Sequence, residues 1–304
     1  MTGTTTRTKI TMNILPPKLW TSLGQAYSIT ATEYFSALTA TVVVWDTCLN
    51  IGNEVRLIWC RPFTRAKFLY LILRYTTLFF QIFQSFVLSG LSYERKSDTV
   101  SPCRLWIITT VVGGFVSLAL ANFILIRQVY ALWDHRPRVL QALLAAFVVT
   151  YISSMIIAII SLCRMLGSII YDSETFHICL ITSKPVQWAA GWASQVVFDI
   201  CVFAFTFFNA ASRPRLLDDK IVSELLRDGG MSYAVFSGLR LINTVLCAFK
   251  NPAFLAPGFF LDWAIVTILV CRLLLHIEHM RLVLPPYNSL VQIHSNTVNE
   301  ATPI

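Results

Sequence analysis

The chain has 304 residues, of which 56% are hydrophobic and only 13% are charged, and its mean hydropathy is +0.64. This composition is too apolar for an ordinary soluble domain. The formal net charge of +8 comes from cations that lie scattered between apolar stretches, which argues against a nucleic-acid-binding surface and predicts anionic lipid headgroups as partners.

Seven apolar stretches of about 20 residues each follow one another along the chain. A helix of that length rises about 30 Å, which matches the hydrocarbon core of a bilayer. We therefore expect an all-α polytopic membrane protein that folds as a bundle of seven transmembrane helices. The predicted spans are residues 31–51, 68–91, 105–132, 140–162, 186–209, 231–249 and 259–282.

The chain shows no composition break and no internal repeat, so we expect one membrane domain over residues 31–283. Residues 1–30 form a predicted N-terminal tail without an apolar run, and the first span is expected to act as an uncleaved insertion signal. Residues 284–304 are polar and begin with two consecutive prolines, which predicts a disordered C-terminal tail.

Lysine and arginine are distributed unequally between the two ends of the predicted bundle. Thirteen lie in the first, third and fifth loops and near the end of span seven, and nine lie on the other side. Because cations are retained on the cytoplasmic side, this count predicts an external or lumenal N-terminus and a cytoplasmic C-terminus. The protein is expected in the plasma membrane or an endomembrane.

Five ionisable residues lie within the spans: Asp46, Arg74, Asp199, Arg240 and Arg272. Each is costly in hydrocarbon and is expected to face a partner or a polar interior. Asp46 and Arg74 lie at similar depths, about 10 Å from the same membrane face, so these two residues can form an ion pair. Asp199 and Arg240 both lie at about 14 Å and can form a second one. Pairing of Asp46 with Arg240 across the bundle is the alternative. Asp262 is expected near the outer interface, in contact with water.

The cysteines can be sorted by membrane side, because thiols oxidise on the external or lumenal side. Cys103 immediately precedes span three and Cys179 lies in the loop between spans four and five, so a disulfide between them would tie that loop across the bundle. Its placement is similar to that in heptahelical G-protein-coupled receptors. Cys163 and Cys247 remain alternative partners.

Motifs for enzyme chemistry are missing from the sequence: it has no phosphate-binding loop, no H-E-x-x-H pair and no G-x-S-x-G elbow. His276 and His279 lie three residues apart near the end of span seven, but further zinc ligands are lacking. We expect neither enzymatic activity, nor a metal site, nor a cofactor.

Short runs of residues carry a family resemblance. Trp45-Asp46, the run NEVRLIW at 53–59 and Leu73-Arg74-Tyr75 resemble the N-terminal signature, at about residues 31–80, of the fungal domain-of-unknown-function 6533 family. The resemblance continues in the runs at 127–133, 226–229 and 271–273. It implies a multi-pass fungal membrane protein with seven helices and no assigned activity.

Several of the resembling residues lie at predicted cytoplasmic ends of spans, and we treat them as candidates for contact with a cytoplasmic partner. These candidates are Glu54, Arg56, Arg127, Tyr130, Arg227 and Asp228. We expect Arg56 to reach lipid phosphates and Glu54 to pair with Arg61 or Arg65. Ile126 precedes Arg127, where many heptahelical receptors carry an acidic residue.

Three functions fit these observations. The leading hypothesis is a receptor-like sensor that binds a small ligand on the external side and couples to a heterotrimeric G protein. The first alternative is a transporter or channel that uses the intramembrane Asp and Arg residues. The second is a non-signalling membrane scaffold.

Overall fold

The computed structural model describes residues 17–89, 101–133, 136–172, 178–181, 187–212, 220–248 and 255–283. Seven helices in this part of the chain contain a stretch long and apolar enough to cross a membrane, which confirms the predicted all-α polytopic bundle. The helices are α1 Pro17–Glu54, α2 Arg65–Leu88, α3 Ser101–Leu132, α4 Pro137–Gly167, α5 Gln187–Ser212, α6 Lys220–Ala248 and α7 Leu255–Val283.

The ends of α1 differ from the predicted ones. The helix begins at Pro17, so residues 17–30 of the predicted tail are helical, whereas 284–304 lie outside the described residues. At its other end α1 continues into a π-helical turn, η1 Val55–Trp59. A short connection then leads to α2, where the Thr64 hydroxyl accepts a hydrogen bond from the backbone N–H of Lys67 at 3.4 Å. This N-cap fixes the start of the second helix.

A short β-hairpin lies between α4 and α5 and was not predicted from the sequence. Its strands, β1 Ile169–Asp172 and β2 Ile178–Ile181, pair antiparallel. Because the chain reverses direction at each connection, α1, α3, α5 and α7 begin on this side of the bundle, which we call the hairpin side. They end on what we call the opposite side, which the charge count predicts to be cytoplasmic.

Neighbouring helices along the chain pack against each other, and α1 closes the ring by packing against α7. Helix α3 reaches across the bundle to α5 and α7, so α3 and α7 form its centre. The main buried apolar cluster includes Leu125 of α3, Phe198 of α5 and Val266 of α7.

The outward faces of the helices are apolar. Large side chains such as Phe79, Val149 and Phe207 are more than half exposed, whereas the interior contains buried charged and amide groups. A soluble protein avoids so much exposed apolar surface. The chain is therefore an integral membrane protein whose outer faces contact lipid.

Candidate functional site

A group of four charged residues joins α1, α2 and α7 near the opposite side, and we call Asp46, Glu54, Arg74 and Arg272 the clamp network. Arg74 Nη1 donates to Asp46 Oδ2 at 3.3 Å, and its Nη2 donates to the backbone carbonyl of Asp46 at 3.1 Å. Arg272 Nε donates to Asp46 Oδ1 at 2.7 Å. Asp46 is 3% exposed, so this buried carboxylate holds three helices through two arginines.

Glu54, the last residue of α1, is also part of this network, and its expected pairing with Arg61 or Arg65 at the surface is wrong. Its side chain is fully buried, whereas both of those arginines are exposed. Donors from η1 and α2 surround it. They are Tyr75 Oη at 2.7 Å, Tyr70 Oη at 3.3 Å, Trp59 Nε1 at 3.3 Å and, as an ion pair, Arg74 Nε at 3.3 Å.

A second group of buried polar residues lies deeper in the bundle, and we call Asn122, Asp199, Arg240 and Asp262 the central cluster. Arg240 Nη1 donates to Asp199 Oδ1 at 2.6 Å, and Arg240 Nη2 donates to Asn122 Oδ1 at 3.1 Å. The structure thus brings Arg240 to Asp199 and Asn122, and the alternative contact between Asp46 and Arg240 is not the one formed.

Asp262 is fully buried on α7, so the expectation that it stays in contact with water is wrong. It lies close enough to Asp199 and Arg240 for electrostatic interaction, yet neither of its carboxylate oxygens has a hydrogen-bond partner among the described residues. Asp199 Oδ2 and Arg240 Nε are buried without such a partner as well. The central cluster therefore contains both a donor and acceptors that the present arrangement leaves unsatisfied.

A chain of hydrogen bonds extends from this cluster toward the hairpin side. Asn122 Nδ2 donates to Gln195 Oε1 at 3.2 Å, and Gln195 Nε2 donates to Ser154 Oγ at 2.9 Å. The Ser154 hydroxyl is also hydrogen-bonded to that of Ser194. This series of hydrogen bonds connects α4, α5, α3 and α6. Sequence reasoning missed it because these residues are uncharged, although amides within apolar spans were a usable signal.

These hydrogen bonds end at the wall of a pocket on the hairpin side, between α3, α4, α5 and α7. Aromatic and aliphatic side chains form most of its lining, together with Tyr151, Ser154 and Gln195. The cavity volume of this pocket is only about 30 Å³. The pocket is therefore narrow and admits a small group at most.

Gly114 of α3 controls the width of this pocket. A side chain at this position would overlap the ring of Phe259, which lines the pocket from α7. A larger residue at position 114 would require this ring to shift.

A second, wider pocket of about 520 Å³ lies on the opposite side, between α1 and α7. Its polar lining residues are Asn50, Asn53, Arg272, His276 and His279. It shares no lining residue with the hairpin-side pocket. Phe259 of the first pocket and Leu275 of the second are about 24 Å apart along α7.

Residues 34–79 match the model of a family of unknown function, DUF6533. The matched stretch contains Asp46, Glu54 and Arg74, so three of the four clamp residues lie in the part of the chain that is similar to this family. This finding confirms the resemblance at the N-terminal signature. No curated protein matches the chain.

The DUF6533 match ends within α2, so the resemblance at 127–133, 226–229 and 271–273 stays a prediction, as does the fungal origin. Arg56 and Arg127 are exposed on the opposite side, and Tyr130 is half-buried there. The side chains of Arg227, Asp228, Cys103 and Cys179 lie outside the described residues. Cys163, one alternative disulfide partner, is an exposed free thiol.

Proposed function

We propose that this membrane protein is a receptor-like sensor that binds a small ligand in the hairpin-side pocket and responds through a rearrangement of α6. The observation that carries the proposal is the hydrogen-bond chain from the pocket wall to the central cluster. Ser154 and Gln195 line the pocket, and Asn122 connects Gln195 to Arg240 on α6. A ligand that competes for Gln195 would alter the partners of a buried arginine on another helix.

The unsatisfied atoms of the central cluster support this role. Arg240 now binds Asp199 and Asn122, while Asp262 is near and has no hydrogen-bond donor within the described part of the chain. In this proposal, a small rotation or shift of α6 would bring Arg240 to Asp262 as a second acceptor and give the bundle a second arrangement. Ligands act on proteins of this kind by binding one arrangement better than the other.

The pocket lining indicates the chemistry of the ligand. Aromatic residues such as Trp188, Trp192 and Phe259 favour a flat or aliphatic group, and Ser154 and Gln195 can hydrogen-bond to one or two polar atoms. The narrow interior favours a small molecule that enters by displacing Phe259. Our proposal is thus a small, mainly apolar ligand with a single polar end.

Transport is less well supported by the same geometry. A transporter needs a polar passage that reaches both faces in turn. The two pockets share no lining residue, and between them α7 contributes Val266 and Val270, which are fully buried in the apolar cluster. Apolar packing therefore lies between the two pockets along α7, which favours a sensor over a transporter.

The cytoplasmic partner in this proposal is a heterotrimeric G protein, with the hairpin side external or lumenal and the C-terminus cytoplasmic. Arg127 is exposed near the end of α3, and Arg227 and Asp228 lie in the first part of α6 on the same side. Movement of α6 would shift the first part of this helix relative to the end of α3. The absence of an acidic residue before Arg127, where Ile126 is fully buried, leaves this arginine without the local carboxylate common in receptors.

Capture of a G-protein α subunit tests the proposal. The full chain is solubilised under nucleotide-depleted conditions and compared with a known receptor, and the variants are Arg127→Gln and, as a matched control, Arg138→Gln. Arg138 is exposed at the start of α4 on the same side. We expect capture by the parent chain and by R138Q, and loss in R127Q.

An Asn122→Leu variant tests the path from the pocket. If the chain of hydrogen bonds transmits the signal, N122L changes the captured amount although it is remote from the partner surface. No capture by the parent chain beside a working receptor contradicts the coupling proposal and leaves a scaffold or transporter. Ion or solute flux in reconstituted vesicles separates those two.

A further inference from the structure

The pocket on the opposite side is independent of the sensor proposal and has a distinct chemistry. Its walls come from the last turns of α1 with η1 and from the end of α7. Its volume of about 520 Å³ lies in the range of ligand-binding pockets, which is roughly 300–1,000 Å³. The wall residues are Leu49, Asn50, Asn53, Leu57, Arg272, Leu275, His276 and His279.

Arg272 is the charged group at the inner end of this pocket. Its Nε is held by Asp46 Oδ1 at 2.7 Å, which fixes the direction of the guanidinium. Its side chain nevertheless is 53% exposed, in contrast to the 3% exposure of Arg74 in the same network. No other described side chain accepts a hydrogen bond from this guanidinium. Its terminal nitrogens are therefore oriented donors available to a ligand.

The remaining polar lining also suits an anion. His276 and His279 lie one helical turn apart on the same face of α7, and Asn53 is exposed on α1 across from them. Imidazole and amide N–H groups donate to phosphate oxygens. None of the described lining residues is acidic. Asp46 and Glu54, which flank the pocket on α1, are buried and already bound to arginines. Glu278 lies on α7 between His276 and His279 and is not one of the lining residues.

We propose that the opposite-side pocket binds a phosphate-bearing anion, and specifically the headgroup of an anionic phospholipid. The depth of the pocket in the membrane favours a lipid headgroup over a soluble anion. Arg272 lies eight residues before Met280, where the span ends, so the pocket extends about 12 Å from the membrane face toward the hydrocarbon core. His279 lies near the membrane face. A headgroup phosphate fits this interval of depth.

The surroundings of the pocket provide a place for the acyl chains. Leu49 and Leu275 form part of its apolar wall, and the adjacent outward face of α1 exposes Trp45 and Leu49, each by more than half. A soluble phosphate has no apolar part that could contact this surface, whereas the acyl chains of a lipid could. The side is also the one predicted to be cytoplasmic, where anionic lipids are concentrated.

Native mass spectrometry of the full chain tests the site. The protein is reconstituted in nanodiscs of phosphatidylcholine, with or without phosphatidylglycerol, and released lipids are counted per chain. The test variant is Arg272→Lys combined with His279→Gln, because lysine retains the charge that faces Asp46 but not the fork of donors. The matched control is Arg56→Gln, an exposed cation of η1 outside the pocket.

We expect the parent chain and R56Q to retain phosphatidylglycerol in preference to phosphatidylcholine. In the double variant, we expect the ratio of retained phosphatidylglycerol to retained phosphatidylcholine to fall about tenfold. The thermal unfolding midpoint of each variant in phosphatidylcholine alone serves as the folding control. A second variant, Leu275→Trp, is designed to fill the pocket while it leaves the ion-paired residues in place, and it should show the same loss of preference. Equal loss in R56Q and the double variant would assign retention to general surface charge and overturn the proposal.

A second arm separates the two sources of phosphate. Inorganic phosphate and glycerol phosphate are added to the nanodiscs that contain phosphatidylglycerol. Retention of the lipid in excess competitor supports a lipid site that uses the acyl chains. Complete displacement by inorganic phosphate contradicts the lipid assignment and leaves a site for a soluble anion.

Discussion

The clamp network and the central cluster contain similar groups but satisfy them differently. In the clamp network, both oxygens of Asp46 and of Glu54 accept hydrogen bonds, and the donors lie on α1, η1, α2 and α7. In the central cluster, Asp262 and one oxygen of Asp199 have no hydrogen-bond donor among the described residues, although both are buried. Nε of Arg74 and Nε of Arg240 both lack a hydrogen-bond acceptor among the described residues, so the two sets differ in how many of their carboxylate oxygens are partnered.

The difference separates two uses of charge in a membrane protein. A buried carboxylate with both oxygens bonded to donors on several helices holds those helices in one register, because any shift exposes an unpaired charge to an apolar medium. A cluster with unsatisfied donors and acceptors tolerates a shift that exchanges partners. We therefore assign a structural role to the clamp network and a conformational role to the central cluster.

The largest expected effect is in the clamp network. Arg74→Leu removes the partner of Asp46 and of Glu54 and leaves two buried carboxylates with fewer donors. We expect the free energy of unfolding in detergent to fall by about 3–5 kcal/mol. The control is Arg65→Leu, an exposed arginine of the same helix. If R74L and R65L have the same stability, the clamp network is not structural.

A smaller loss is expected where the hydrogen-bond chain meets the central cluster. Asn122→Leu leaves Arg240 Nη2 and Gln195 Oε1 without their partner. Arg240 is buried whereas Gln195 is only half-buried, so N122L leaves one buried unsatisfied group. Such a group costs about 1–3 kcal/mol, and we expect N122L to lower the free energy of unfolding by about that amount. A loss as large as that of R74L would mean that the central cluster also clamps the bundle.

Asp262→Asn should have the opposite sign. The aspartate is buried without a described donor, and an amide costs less to bury than a carboxylate. The new N–H can also donate to Asp199 Oδ2. We expect D262N to raise the free energy of unfolding by about 1 kcal/mol, measured beside Asp46→Asn, which should lower it. A destabilising D262N would show that the aspartate has a partner that it needs.

The smallest effect tests whether Glu54 has donors in excess. Tyr75→Phe removes the shortest hydrogen bond to Glu54, 2.7 Å from Tyr75 Oη to Oε1, but leaves Tyr70, Trp59 and Arg74 in place. We expect a loss of about 1 kcal/mol or less, read from the unfolding midpoint. A loss close to that of R74L would show that the remaining donors do not hold the carboxylate.

Sequence periodicity and depth were sufficient to predict part of this structure. Apolar length predicted all seven spans, and counting residues from the span ends placed Asp46 level with Arg74 and Asp199 level with Arg240. Depth does not determine which way a side chain faces, so the sequence could not show that Glu54 turns inward or that Asp262 is buried. The partners of Asn122 and Gln195 depend on the contact of α3 with α5, which no local pattern contains.

Hydrogen exchange of the two clusters in the same protein tests this account most directly. In detergent micelles, peptides around Asp199 and Arg240 are compared with peptides around Asp46 and Arg74 by mass spectrometry, in the parent chain and in N122L. The account predicts faster exchange around the central cluster and a further increase there in N122L, with exchange around the clamp network unchanged. Equal protection of both clusters, or slower exchange around Arg240, would contradict it.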